Sequence, residues 1–96
     1  MTKVEWTAAA RLDLQELDEF LHDKNPDAAA RAMLAILDAA DQIEAMPESG
    51  RPAEGRAPNE RELVVTFGTG GYVVLYRVMA GLAVILGIKH QREAGY

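Results

Sequence analysis

The sequence predicts an α+β domain in which a short N-terminal strand and an antiparallel helical hairpin precede an antiparallel β-sheet. Apolar residues recur at helical spacing through the first half, prolines and glycines interrupt the middle, and β-branched and aromatic residues fill the last third. With 96 residues and no cysteine, the chain is expected to form a single domain, residues 1–96, stabilised by packing rather than by disulfides. The predicted element order is β-α-α-β-β-β.

The N-terminal strand is predicted to run directly into the first helix. The segment Lys3–Trp6 alternates polar and apolar residues, and Thr7 is a favourable N-cap for the alanines that follow it. Leu12 lies about half a turn from the apolar stripe of this helix, and we interpret it either as a tolerated surface leucine or as a contact for a partner. The predicted stripe is Ala10, Leu14, Leu17 and Leu21, widened by Phe20.

A second helix is predicted to begin at Asn25-Pro26-Asp27, which combines a capping side chain, a proline suited to the first helical position and an acid favourable to the helix dipole. Many alanines in this helix permit a close approach to the first one. Residues 47–59 contain repeated prolines and glycines and are predicted to form a structured loop. The predicted buried stripe of the second helix is Ala29, Met33, Ile36, Leu37, Ala40 and Ile43.

Three strands are predicted after the loop, at Arg61–Phe67, Tyr72–Val78 and Leu82–His90, with connections short enough for consecutive hairpins. Both faces of this sheet carry apolar residues. Since two helices cover only one face, the other is expected to be covered in a larger assembly or to bind a partner. The predicted faces are Val73, Leu75, Ala83 and Ile85 on one side and Val74, Tyr76, Val84 and Leu86 on the other.

The charge balance restricts the choice of partners. A net charge of -5 argues against a protein that coats nucleic acid by charge alone. Residues 1–50 carry 11 acidic and 4 basic side chains, whereas residues 51–96 carry 4 acidic and 6 basic ones; this asymmetry either separates a solvated face from a partner-binding face or arises by chance. The sequence lacks a long apolar run and an apolar leader, so we expect a cytoplasmic protein with no membrane partner.

Few residues suit catalysis. Ser49 is the one serine and lies in a turn context, so a Ser-His-Asp nucleophile is not expected. His22 and His90 lack the spacing of metal ligands, and neither a metal nor another cofactor is expected.

The end of the last predicted strand, residues 89–92, is the remaining candidate site. Together with Arg61, Glu62 and Arg77 it is predicted to line one rim of the sheet. Metal-free RNA cleavage needs a base, an acid and cations for the phosphate, and histidine, glutamate and arginine are suitable residue types for these roles. The simpler interpretation is a polar strand end with solvated arginines.

Five segments spread over nearly the whole chain form a recognisable series. They are, in order, 4–14 (VEWTAAARLDL), 47–51 (PESGR), 61–63 (REL), 71–78 (GYVVLYRV) and 90–91 (HQ). Together they resemble the RelE/ParE family of bacterial toxins. The resemblance implies a RelE/ParE-like fold and a role as the toxin of a type II toxin-antitoxin module, of the kind that stabilises plasmids, held silent by a cognate antitoxin.

Within this family some members cut messenger RNA in the ribosome and others inhibit DNA gyrase. The ribonucleases similar to this chain place an arginine where Val73 stands and cations where Val64 and Thr66 stand. His90 matches a catalytic histidine of some ribonucleases, but the pair His90-Gln91 also resembles gyrase-inhibiting members. With a pI near 4.9 as well, the sequence favours a ParE-like, non-enzymatic inhibitor of DNA gyrase.

Two alternatives stay open. The first is a ribosome-dependent messenger RNA endoribonuclease that uses His90 as acid or base, assisted by Glu62 and by Arg61 or Arg77. The second is a degenerate toxin retained as an antitoxin-binding or operator co-repressor module. For the favoured gyrase inhibitor, the predicted target-binding residues are Arg61, Arg77, His90, Gln91 and Arg92.

The antitoxin is predicted to lay a helix and an extended stretch across an apolar sheet face and the helix surface around Leu12, because covering a few aliphatic side chains offsets the ordering cost of a disordered peptide. An acidic antitoxin tail is expected near Arg61 and Arg77. The predicted antitoxin-binding residues are Leu12, Val73, Leu75 and Ile85, with the opposite sheet face as the alternative.

Overall fold

A computed structural model, which describes residues 2–68 and 70–91, shows two helices packed on one face of a five-stranded sheet. The strand order is β1-β5-β4-β3-β2. The predicted α+β class and element order are confirmed, with one added two-residue edge strand. No helix in the described ranges is long and apolar enough to cross a bilayer. The elements are β1 (Lys3–Trp6), α1 (Ala8–Lys24), α2 (Pro26–Ala45), β2 (Arg51–Pro52), β3 (Glu60–Phe67), β4 (Gly70–Met79) and β5 (Leu82–His90).

The sheet is mixed rather than purely antiparallel. Strand β1 pairs in parallel with β5, while β2, β3, β4 and β5 pair antiparallel with their neighbours. The parallel pairing brings the N-terminus beside the last strand, and the connection from β1 to β5, which contains the helical hairpin and the three other strands, is much longer than the crossover of about a dozen residues that parallel strands require. Strand β5 therefore lies between β1 and β4.

Polar caps fix the helix ends. The Thr7 hydroxyl accepts a hydrogen bond from the Ala10 amide at 3.0 Å and donates one to the Ile85 carbonyl at 3.1 Å, so the start of α1 is attached to β5. The Asn25 side chain accepts from the Asp27 and Ala28 amides and begins α2 directly after α1. The predicted antiparallel hairpin is confirmed, with a single residue between its helices.

Alanines make the tight helix packing possible. On α2 the fully buried stripe includes Ala32 and Ala39 beside the predicted Ile36 and Ile43. Leu37 is 46% exposed, so its predicted burial is wrong. The buried stripe is centred on Ile36, and Leu37 lies at the edge of this stripe.

On α1, the prediction that Phe20 widens the buried stripe is also wrong. Its side chain is 59% exposed, and the Lys24 ammonium lies 5.0 Å from the centre of its ring. Leu14, Leu17 and Leu21 are partly buried against the core, as predicted.

The pairing of β4 with β5 contains a β-bulge and gives sheet faces that differ from the predicted ones. Leu75 pairs with Gly87 but Tyr76 pairs with Ile85, so Leu86 is an extra residue with no partner on β4. Paired residues share a face, and Ile85 therefore lies with Tyr76 on the face that the helices cover. The predicted grouping of Ala83 and Ile85 with Val73 and Leu75 is wrong, because the hairpin turn pairs Ala83 with Val78 and Ile85 with Tyr76, so odd-numbered residues of β5 share a face with even-numbered residues of β4 before the bulge.

The hydroxyl of Tyr76 holds the loop that follows α2. It donates to the Pro47 carbonyl at 2.7 Å and accepts from the Gly50 amide at 2.9 Å. Arg61 donates to the Gly50 carbonyl at 2.6 Å. A β-carbon on Gly50 would lie 2.6 Å from the Tyr76 hydroxyl, which explains the glycine in the Pro-x-x-Gly-Arg segment.

Substituting Tyr76→Phe should lower the free energy of unfolding by about 1–3 kcal/mol, because the change leaves the Gly50 amide and the Pro47 carbonyl without a partner. Tyr72→Phe is the matched control, since the Tyr72 hydroxyl has no hydrogen bond to any described residue. It should cost roughly 0.5 kcal/mol or less. Urea denaturation measures both variants; equal losses would contradict the assigned role of Tyr76.

Candidate functional site

The residues predicted to share one rim lie at two separate places. Glu60 pairs with Arg77 near one end of β4, whereas His90 pairs with Tyr72 near the other. Tyr72 and Arg77 are five residue steps apart on β4, which is roughly 17 Å of strand. The predicted rim is therefore wrong: Arg77 lies at the end of β4, and the antiparallel pairing that the sequence predicts places the end of β5, with His90, at the opposite end of the sheet.

At the arginine end, Glu60 is a charged hub that the sequence analysis missed. Its carboxylate accepts hydrogen bonds from Arg77 at 2.8 Å and from Arg56, and the residue is only 5% exposed. These two arginines, Arg77 first, hold the pKa of Glu60 below its usual value, and partial desolvation opposes them. The hub fastens the loop before β3 to the sheet.

The neighbours of Glu60 are likewise engaged in structural contacts. Arg61 points to the helix-covered face, where it binds loop carbonyls, and Glu62 points to the outer face. Glu62 accepts a hydrogen bond from Arg51 at 2.7 Å. The basic half of the chain is thus largely neutralised by its own acids.

At the histidine end, a groove of about 600 Å³ runs between α1 and the last residues of β5. The rings of His90 and Tyr72 meet edge to face with 5.6 Å between their centres. Burial raises the pKa of the Tyr72 hydroxyl. The wall that α1 contributes includes Asp13, Glu16 and Phe20.

Sequence reasoning missed this groove, because none of its α1 residues forms a recognisable motif. Gln91 lies just beyond β5 and is exposed, whereas Arg92 lies outside the described residues. Of the predicted target-binding residues that the structure describes, Arg61 and Arg77 lie at one end of the sheet on opposite faces, whereas His90 and Gln91 are adjacent at the other end.

The positions at which related ribonucleases carry cations form one patch on the outer face. Val64 pairs directly with Val73, and Thr66 follows on the same side of β3. Lys89 pairs with Val73 from the other strand and is the one cation beside this patch among the described residues. The surface is therefore mainly apolar.

The predicted antitoxin-binding residues do not form one surface. Ile85 is 0% exposed within the core, so its predicted role as a direct contact is wrong. Leu12 is 53% exposed on the helical side, whereas Val73 and Leu75 belong to the opposite, outer face of the sheet. Val73 is itself buried.

The chain matches a known protein family over nearly its whole length. Residues 4–95 match the model described as the ParE toxin of the type II toxin-antitoxin system parDE. The chain belongs to the ParE toxin family. Two toxins of Caulobacter vibrioides are relatives: RelE3 is 41% identical and RelE2 is 38% identical. The alignments cover 97% and 94% of this chain and 98% and 96% of the relatives.

Solved structures share the ParE toxin fold. A chain of the chromosomal ParDE system of P. aeruginosa superposes with a TM-score of 0.75 at 22% identity, covering 94% of this chain and 96% of the other. A chain of the RelBE2 toxin-antitoxin complex of Mycobacterium tuberculosis gives a TM-score of 0.65 at 26% identity, covering 93% and 96%. The resemblance to RelE/ParE toxins is confirmed.

The substitution Glu60→Gln should make the toxin less sensitive to acid. The folded-state pKa of Glu60 lies below the usual 4.5, so as the pH falls through this range the unfolded chain binds a proton before the folded one does, and stability is lost. The stability difference between wild type and Glu60→Gln should therefore be largest near neutral pH and shrink towards about pH 3.

Urea denaturation at successive pH values measures this difference. Glu54→Gln is the control, because Glu54 makes no ion pair among the described residues. A difference between wild type and Glu60→Gln that stays constant from neutral to acid pH would show that Glu60 does not act through its charge.

Proposed function

We propose that this ParE family toxin inhibits DNA gyrase without catalysing a reaction, that a cognate antitoxin neutralises it, and that it acts in the cytoplasm. The observation that carries the proposal is the split of the candidate ribonuclease residues between two ends of β4. Family membership supports the toxin-antitoxin context, and the RelBE2 structure is that of a toxin-antitoxin complex.

The separation between His90 and the candidate arginines weighs against RNA cleavage. General acid-base catalysis needs its groups within about 3 Å of the protons they transfer. His90 lies roughly 17 Å along the sheet from the residue pair that contains Arg77. Arg61 is bound to a loop carbonyl, so it is not available as a phosphate ligand without giving up that contact.

The outer face gives a second argument. During RNA cleavage the phosphate is transferred from one oxygen to another and carries negative charge, which cations must stabilise. Val64, Thr66 and Val73 supply none, although Lys89 lies beside them. A protein target is a better match for this mainly apolar patch, and His90 with Gln91 offers polar contacts near the same end of the sheet.

The antitoxin must then contact two sides of the toxin. Leu12 on the helices and Leu75 on the outer sheet face remain as proposed contacts, since both are at least partly exposed. A helix followed by an extended stretch has the length to reach around the sheet edge and meet both. The wrapped arrangement replaces the single docking face that the sequence suggested.

Induction of the toxin in growing cells tests this proposal. We expect growth arrest with a DNA damage response and no new messenger RNA ends, because blocked gyrase leaves DNA breaks whereas a ribonuclease leaves cut transcripts. Co-expression of the antitoxin should restore growth.

Two results would contradict the proposal. New messenger ends without DNA damage would favour the ribosome-dependent endoribonuclease. Absence of growth arrest, with a folded toxin that still binds the antitoxin, would favour the antitoxin-binding or co-repressor module.

A further inference from the structure

One edge of the sheet is left unpaired along the second half of β3. Strand β2 has two residues and pairs only with Arg61 and Glu62. In the described part of the chain, no strand pairs with residues 63–67 of β3 on the side away from β4. These residues, which read LVVTF, form the free edge of the sheet.

The backbone groups that point out of the free edge belong to Val64 and Thr66. The Ala53 amide donates a hydrogen bond to the Glu60 carbonyl at 2.9 Å, so Glu60 directs its backbone groups away from β4. Successive residues of an antiparallel strand direct their N–H and C=O groups to opposite sides. Val64 and Thr66 therefore present these groups on the same side as Glu60, whereas Val65 directs its own towards β4.

The free edge lacks the features that usually prevent strands from pairing edge to edge. Proteins protect exposed edges with charged side chains, prolines or bulges. The opposite edge of this sheet has such protection, because β1 carries Lys3 and Glu5, which are exposed and lie 3.8 Å apart as an ion pair. Residues 63–67 contain no charge and no proline, and their composition has a high β propensity. The free edge is thus suited to receive another strand.

The free edge is complementary to a second copy of itself. In an antiparallel pair of two β3 strands centred on Val65, Val64 of each copy lies opposite Thr66 of the other, so their outward backbone groups bond reciprocally. On the helix-covered face, Leu63 lies opposite Phe67 and Val65 lies opposite Val65. Leu63 and Phe67 are only partly buried in the single chain, and the pairing covers their remaining apolar surface.

The length of the free edge selects this register. A shift in one direction would place Thr66 opposite Glu62, which β2 already covers, and a shift in the other would place Val64 opposite Gly68, beyond the end of β3. A charged peptide finds no charged side chain on residues 63–67, whereas a second copy matches them along their whole length. These observations favour a second copy as the occupant.

We propose that two copies of this chain associate through the free edge, with an antiparallel β3–β3 pair that joins their sheets into one. The two-fold axis passes beside Val65, so each copy uses the same residues. Because a stable interface uses roughly 20–30 residues from each side and this one is much smaller, the dimer is reversible and dissociates on dilution.

A cysteine at the centre of the pair tests the register, since the chain has none of its own. In Val65→Cys the thiols lie opposite each other in a non-hydrogen-bonded pair, whose Cα atoms are about 4.5 Å apart and within disulfide range. Mild oxidation of the purified toxin should give a covalent dimer on non-reducing electrophoresis. Val64→Cys is the matched control: its side chain is more exposed, but the two Cα atoms would lie roughly 8 Å apart, too far for a disulfide.

A proline on the free edge tests the hydrogen bonds. Thr66→Pro removes an outward N–H from each copy and leaves the bonds between β3 and β4 in place, and circular dichroism verifies that the variant folds. Sedimentation equilibrium should show the dimer dissociation constant rising roughly tenfold or more. Thr66→Ala changes the same side chain but keeps the amide, and it should change the constant by less than about threefold.

Three results would overturn the proposal. They are a wild-type toxin that remains monomeric at millimolar concentration, a folded Thr66→Pro variant that dimerises as tightly as wild type, and equal cross-linking of Val64→Cys and Val65→Cys. A monomeric wild type whose binding to the antitoxin is weakened by Thr66→Pro would show that the free edge receives a strand of the antitoxin instead. None of these outcomes affects the choice between gyrase and ribosome as the target.

Discussion

The single extra residue in β5 is the constraint on which the arrangement of this toxin depends. From Leu82 to Ile85, each residue of β5 pairs regularly with a residue of β4. Leu86 is inserted without a partner, so the side chains that follow it lie on the opposite sheet face from the one that strict alternation would give. Ile85 and Ile88 are consequently both buried, although they are three residues apart. Without the bulge, Ile88 would turn to the outer face and Lys89 would enter the core.

The bulge also determines where polar groups meet. Because the alternation is inverted, the Ile88 amide faces α1, where Asp13 binds it, and the groove opens beside this contact. At the opposite end of β4, Glu60 accepts hydrogen bonds from Arg56 and Arg77. These contacts attach the loop before β3 to the sheet. The sheet therefore has one end occupied by internal ion pairs and another beside which the groove lies.

The sequence was sufficient to predict the elements and their order, because capping residues, prolines and strand composition act locally. Thr7 and Asn25 begin their helices as predicted. The sequence was not sufficient to predict the sheet faces or the residues that share the site. Neither the bulge at Leu86 nor the pairing of Glu60 with Arg77 leaves a local pattern, because both depend on the register between strands that only the folded chain defines. Phe20 and Leu37 show the same limit, since an apolar residue at the margin of a stripe is buried or exposed according to what packs beside it.

The proposed action of this ParE family toxin, as a protein that binds DNA gyrase and does not cut RNA, is tested with purified components. Folded toxin is added to DNA gyrase with relaxed plasmid, and in parallel to a translation extract. We expect supercoiling to stop while translation continues and the messenger RNA stays intact. Unchanged supercoiling at a large excess of toxin, together with arrested translation and cut messenger RNA, would contradict it.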